Sequence, residues 1–388
     1  MGFRSRHSTQ STLSAQSQHA DTTINAEIAK IAEREDTGAL QDRNTFICRS
    51  KFGPVCRPGE RAGRRIASLN SACLACSALI VVFAVAVCRV YADGEKIAVF
   101  TKNQTNPYFS MLRMGADNAA KQMNARVTQY VPTRPDSIPD QMSQIEDAIT
   151  KRPDAVLFAP VDFKAMSPGV LKLNAAKIPV INITDRVEKG QIVSFVGVDD
   201  YSVGLATARA LFKKMNGTGG IIILEGVRGV LTSSERMRGF QSALKEFPGI
   251  KLLASQPANY QRLMALQVTE NLLQSHPNIA GVLAANDAMA LGALEAFDGA
   301  NRKVLAVGIN GTKEAMDAIE AGRLLASGDN NGFVQGCIGT MAAVRTLRKQ
   351  PVPKEVVFPA VVIDASNYKQ YDTPDAQRVC PKWESVVK

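Results

Sequence analysis

Ten side chains between positions 106 and 330 share one kind of chemistry. Asn106, Asn286, Asn310 and Asn330 are amides, Asp185, Arg186 and Arg236 are planar charged groups, and Tyr108, Phe109 and Tyr260 are aromatic. Amides, guanidinium groups and carboxylates bind pairs of hydroxyls through paired donors or acceptors. Aromatic faces cover the apolar C–H surface of a ring. The set contains almost no nucleophile or base. Histidine is confined to His7, His19 and His276, and the last sits in a turn-like Ser-His-Pro-Asn. A His-based triad or a zinc site is therefore nearly excluded. Neither a Gly-rich phosphate loop nor a Gly-x-Ser-x-Gly is present, and Gly217-Thr-Gly-Gly220 reads as a turn before a strand. No catalysis, cofactor or metal is expected. Each pair alone has a plainer reading, Asn-Pro as a turn and Asp-Arg as a surface ion pair. Their joint placement just after strands is what favours a binding site for a polyhydroxylated ligand.

The elements that position these residues alternate with regularity from Lys96 onward. Apolar, β-branched runs at Ile97–Phe100, Arg126–Tyr130, Ala155–Phe158, Pro179–Ile183, Val193–Val196, Gly220–Leu224, Lys251–Ala254, Ala280–Leu283 and Val304–Val307 read as strands. Amphipathic segments such as Met111–Met123 and Val203–Met215 lie between most of them. Such alternation predicts an α/β fold with parallel sheets covered by helices on both faces. So many strands without a long loop divide most naturally into two doubly wound, Rossmann-like lobes. Gly197-Val-Asp199-Asp200-Tyr201 is the expected crossing point. Ligands of such sheets bind outside the carboxyl ends of the strands, where the ten residues fall.

At 388 residues and 45% apolar, the chain accommodates two ordinary domains and an additional segment. The net charge of +10 divides evenly. Residues 1–92 carry 12 Lys/Arg against 7 Asp/Glu, and the rest of the excess is spread thinly over the remainder. It marks a solvated surface and no nucleic-acid partner. Arg61-Ala-Gly-Arg64-Arg65, the apolar run from Ala72 to Cys88 and Val90-Tyr91-Ala92 together predict a secretory signal peptide cut after Ala92. The alternative is an uncleaved anchor, although the run is shorter than the ~20 apolar residues of a span. No Met lies between Met1 and Met111. A start at a non-ATG codon, such as that of Val55, would give a leader of ordinary length, with residues 1–54 untranslated. Cys48, Cys56, Cys73, Cys76 and Cys88 precede Ala92, and only Cys337 and Cys380 follow it. An even count in an oxidising compartment permits a Cys337–Cys380 disulfide, with two buried free thiols as the alternative.

Several stretches carry a family resemblance. They are Thr105-Asn-Pro-Tyr-Phe109, Ile178-Pro-Val-Ile-Asn-Ile-Thr-Asp-Arg186, Ser234-Glu-Arg236 with Gly239-Phe240, Ala254-Ser-Gln-Pro-Ala-Asn-Tyr260, Gln267–Leu273 and Asn286–Leu294. From Lys96 to about Asp364 the chain resembles the type I periplasmic sugar-binding proteins of the ribose-binding group. The resemblance implies two lobes joined by three hinge crossovers that close on a monosaccharide or sugar alcohol. The first lobe is expected over 93–198 and 331–359, the second over 199–330 and 360–388. The first would supply Asn106, Tyr108, Phe109, Asp185 and Arg186. The second would supply Arg236, Tyr260, Asn286 and Asn310, with Asn330 at a hinge. Phe109 and Tyr260 would sandwich the ring, while Asp185 and Arg186 would each take adjacent hydroxyls. The resemblance further implies a monomer in the periplasm that serves an ABC permease of the inner membrane. Ribose binders carry Asp where this chain has Asn310 and Gln where it has Asn330, and two aromatic positions are Tyr instead of Phe. These departures point to a different pentose, a hexose or a polyol. The alternative is a lac-repressor-type regulator, since Thr22–Ala32 looks like the first helix of a DNA-binding headpiece. Glu33–Thr45 lacks a recognition helix, however.

Overall fold

The structure is a computed structural model that describes residues 94–387; the expected leader, with its cut after Ala92, lies outside the described residues. Strand and helix alternate as β1 (Lys96–Phe100), α1 (Pro107–Met123), β2 (Arg126–Tyr130), α2 (Ile138–Lys151), β3 (Ala155–Phe158), α3 (Ser167–Ala175), β4 (Val180–Ile183) and β5 (Ser194–Val198). After Asp199 the chain enters the second lobe. There it forms α4 (Asp200–Lys214), β6 (Gly219–Glu225), α5 (Leu231–Glu246), β7 (Ile250–Pro257), α6 (Arg262–Ser275), β8 (Ile279–Ala284), α7 (Asp287–Gly299), β9 (Leu305–Ile309), α8 (Lys313–Glu320) and β10 (Ala326–Asp329). It returns through Asn330 and Asn331 to α9 (Gly332–Leu347) and β11 (Glu355–Phe358), then crosses again to β12 (Val361–Asp364). The sheets run β11-β5-β4-β3-β1-β2 and β12-β10-β9-β8-β6-β7. Every pairing is parallel except β10 with β12.

Local chemistry explains most element boundaries. The inner strands are apolar on both faces, as in β3 (Ala-Val-Leu-Phe, all buried), because helices cover both sides of the sheet. Asn106, Ser137, Asp199, Asn286 and Thr312 cap helices by accepting first-turn N–H groups, and Pro follows directly after Asn106. Helices α1 and α9 approach closely because Gly115 and Gly336 lie at their contact. A Cβ at either would stand 2.0 Å from a carbonyl oxygen of the other helix.

Three strands escape the sequence pattern. β10 reads Ala-Ser-Gly-Asp, with no strand propensity, yet it is fully buried between β9 and β12. Tertiary pairing overrides propensity there. β11 and β12 look like one run but join different sheets, because Pro359-Ala360 carries the chain across the hinge between them.

The C-terminal tail requires a correction. Residues 360–388 were expected in the second lobe, and the chain does stay there through Tyr368, bonded to Glu320, and Asp372, paired with Lys313. It then returns to the first lobe. Cys380 is disulfide-bonded to Cys337 of α9, and the indole of Trp383 lies beneath the Arg345 guanidinium. The covalent link, 43 residues apart in sequence, outweighs the continuity that the sequence suggested. Closing such a loop in the unfolded chain costs entropy, so the bond stabilises the fold by about 2–4 kcal/mol. Cys380→Ser should therefore lower the thermal midpoint by several degrees. Reduction of the wild-type protein should give the same shift and leave the variant unchanged.

The hinge holds a buried carboxyl group. Asp329, at the end of β10, accepts the Asn331 N–H at 2.7 Å. Burial raises its pKa to about 6, against the partial relief of that N–H. Its folded pKa lies above its unfolded value, so folding favours the protonated form. The stabilising linkage is present at low pH and is lost as pH rises through about 4 to 6. Asn at this position keeps an acceptor and removes the charge. Asp329→Asn should be more stable than wild type by roughly 1–3 kcal/mol near neutral pH. The difference should shrink as unfolding is measured at lower pH.

Candidate functional site

The carboxyl ends of both sheets face one interlobe cavity with about 340 Å³ of space, part of it open to solvent. Its wall is formed by Lys102, Asn103, Asn106, Tyr108, Phe109 and Thr184 from the first lobe. Thr232, Arg236, Tyr260 and Asn310 come from the second, with Asn330 at the hinge. Seven of the ten residues singled out in the sequence thus share one wall: Asn106, Tyr108, Phe109, Arg236, Tyr260, Asn310 and Asn330.

Backbone chemistry places each of them. Asn106 caps α1 through its Oδ1, which accepts the Tyr108 N–H at 3.1 Å. The Asn103 side chain in turn accepts the Asn106 N–H at 2.9 Å. Helix α1 then presents Tyr108 and Phe109, whose rings meet edge to face at 5.1 Å. Tyr108 Oη lies 3.2 Å from Thr184 Oγ1. In the second lobe, Asn259 and Tyr260 both adopt positive φ (51° and 61°), which turns the Tyr260 ring inward. The ring passes directly over Gly226, where a Cβ would stand 2.2 Å from Tyr260 Cζ. Asn310 is also strained, at φ 140°.

Arg236 organises the second lobe's share. It is 2% exposed, and its Nε donates to Asp200 Oδ1 at 2.8 Å. Its Nη1 donates to the Ala285 carbonyl at 2.6 Å and reaches Asn310 Oδ1 at 3.4 Å. Burial raises the Asp200 pKa to about 6, with the Arg236 charge opposing the shift. Burial also pushes the Tyr108 and Tyr260 hydroxyls far above their usual range, so both stay protonated donors. Tyr260 Oη is buried without a hydrogen-bond partner of good geometry.

Three residues stand elsewhere. Asn286 is fully buried, caps α7 and donates to the Tyr260 carbonyl at 3.1 Å, so it positions that ring instead of lining the cavity. Asp185 lies behind the wall, its carboxylate held by Lys102 and Thr232. Arg186 corrects the expectation of a direct hydroxyl contact. The positive φ of Thr184 (68°) and the Asn182 amide, bonded to the Asp185 carbonyl and the Val187 N–H, shape the turn after β4. The turn sends Asp185 inward and Arg186 outward. The Arg186 guanidinium stacks 3.9 Å over the Phe195 ring and pairs with Glu355 at 3.0 Å. The plain reading of Asp-Arg as half a surface ion pair holds for Arg186.

Lys102, Asn103, Thr184 and Thr232 were not singled out in the sequence. Their one signal is position, since Lys102 and Asn103 follow β1 and Thr184 follows β4 directly. The charges of the site come close to balance. Asp136, Asp185 and Asp200 surround Lys102 and Arg236, and burial raises the Asp136 pKa. With three carboxylates around two cations, no net positive field remains to select an anion. The rest of the wall consists of amides, hydroxyls and rings, which suits a neutral, polyhydroxylated molecule. Among the described residues, no group of His, Cys, Asp and Glu could hold a metal ion.

Comparison with known proteins bears on the family and the fold. Residues 97–351 match the model of the periplasmic binding protein domain. The ribose import binding protein of Haemophilus influenzae is 30% identical over 73% of this chain and 96% of its own length. A xylitol-binding protein of Mycolicibacterium smegmatis is 28% identical over 70% of this chain and 78% of its own. An ABC transporter periplasmic solute-binding protein of Actinobacillus succinogenes, solved with bound D-allose, superposes with a TM-score of 0.69 at 33% identity. That match covers 71% of this chain and all of the other. None of these three is a transcription regulator. Sequence and fold agree, and the chain belongs to the periplasmic binding protein family.

Proposed function

We propose that this protein captures a neutral monosaccharide or sugar alcohol between its lobes and delivers it to an inner-membrane ABC permease. It works as a monomer in the periplasm after removal of its leader, and it performs no chemistry on the ligand. The observation that carries this reading is the wall of the interlobe cavity, where aromatic rings and amides from both lobes surround near-balanced buried charges. The names of the relatives support the ligand class, since they include ribose, xylitol and D-allose. A small neutral ligand gains affinity only from many directed hydrogen bonds in a dry cleft, together with ring contact. Hinge closure supplies that dryness, to the extent that the ligand favours the closed state.

Thermal-shift screening of the purified protein against pentoses, hexoses and polyols tests the proposal. A cognate ligand at a hundred times its dissociation constant adds about 2.7 kcal/mol of stability. Failure of every sugar and polyol to raise the midpoint would sink it. For the ligand so found, calorimetry should show Arg236→Lys at least tenfold weaker. The substitution keeps the buried charge but loses the fork that spans Asp200, Ala285 and Asn310. Arg186→Ala should bind within about twofold of wild type, because its partners Phe195 and Glu355 lie off the cavity wall. Asn310→Asp should change the order of preference among sugars, since it adds an acceptor where the wall has an amide.

A further inference from the structure

Helix α5 begins without a cap of its own. Its N-cap residue is Val230, which offers no side-chain acceptor to the unpaired N–H groups of the first turn. The acceptor comes from the other lobe. Asp185 Oδ1 accepts the Thr232 backbone N–H at 2.7 Å and also accepts the Thr232 hydroxyl. The second carboxylate oxygen accepts from Lys102 Nζ, on the loop after β1 of Asp185's own lobe. Asp185 and Thr232 are 2% and 6% exposed, so these bonds run in a nearly dry seam. A carboxylate at a helix N-terminus is favoured both by the free N–H groups and by the helix dipole. Arg236 lies on the same helix, one turn further along.

We propose that Asp185 is the latch of lobe closure: it caps α5 across the cleft, with Lys102 as the positioning residue that holds its carboxylate toward Thr232. The bonds pass directly from one lobe to the other, so part of the closing free energy is built into the protein and does not depend on which ligand it takes. Opening the cleft uncaps α5 and leaves its first turn to water. Closing restores the cap and brings Arg236 to the cavity in the same movement. Asp185 therefore acts on the hinge equilibrium.

The test uses ligand-free protein, so its outcome is independent of whether the ligand is a sugar. Hydrogen exchange of the Thr232 and Ser233 amides reports the cap, and small-angle scattering reports the separation of the lobes. In wild type, these amides should be protected and the scattering should show a compact fraction. Asp185→Ala should speed their exchange at least tenfold and expand the particle, with the exchange of β6 and β8 unchanged. Lys102→Met should move both readouts in the same direction by less. Thr232→Val, which removes only the hydroxyl bond and leaves the fold intact, provides the same comparison should Asp185→Ala fail to fold. If the unliganded variants match wild type in both exchange and scattering, Asp185 is no latch, even where their ligand affinity falls.

Discussion

A guanidinium buried to 2% exposure sets the terms for the second lobe. An unpaired charge in such a place costs several kcal/mol, so Arg236 must be surrounded by acceptors of good geometry. The acceptors come from three elements, namely Asp200 at the start of α4, Ala285 after β8 and Asn310 after β9. Arg236 thereby locks the strand ends to the hinge helix. The strained backbone of Asn310 is held in the same network. Any ligand that touches Arg236 meets a group whose orientation has been settled beforehand, and preorganisation of this kind reduces the ordering cost of binding.

The first lobe solves the complementary problem. Its contribution hangs on two short loops, one after β1 and one after β4, and both are moulded by buried amides. Asn103 and Asn106 hold the start of α1, while Asn182 shapes the turn that turns Asp185 inward. The loops of the first lobe are therefore held by bonds within that lobe, whereas the first turn of α5 takes its acceptor from Asp185 across the cleft.

The connections between lobes are more numerous than three crossovers. The tail makes a further pass, bonded to the second lobe through Tyr368 and Asp372 and to the first through Cys380. Asp329 and Asn330 sit at one crossing and Asp200 at another, so buried polar groups concentrate where the chain must bend. Asp329 accepts the backbone N–H of Asn331, Asn330 accepts from the Gln335 side-chain amide and Asp200 from the Arg236 guanidinium, and these directed bonds specify the crossing geometry more sharply than apolar packing alone would.

The sequence by itself determined the alternation of strand and helix, the division into two lobes and the places where polar residues leave the strands. These follow from local periodicity and capping, which each segment carries in its own residues. It also identified most of the cavity wall, because Asn106, Tyr108, Phe109, Arg236, Tyr260, Asn310 and Asn330 all stand just beyond strands or on the helices that follow them. Only the tertiary structure decided which way neighbours point. Asp185 and Arg186 are adjacent, yet the turn built on the left-handed Thr184 and the Asn182 amide sends one toward Thr232 of the second lobe and the other onto Phe195. Tertiary pairing alone made a strand of Ala326–Asp329, and it divided residues 355–364 between two sheets. The partnership of Lys102, Asp185 and Thr232 was equally hidden. Its members lie 83 and 47 positions apart and belong to different lobes, so no local pattern records that folding brings them together.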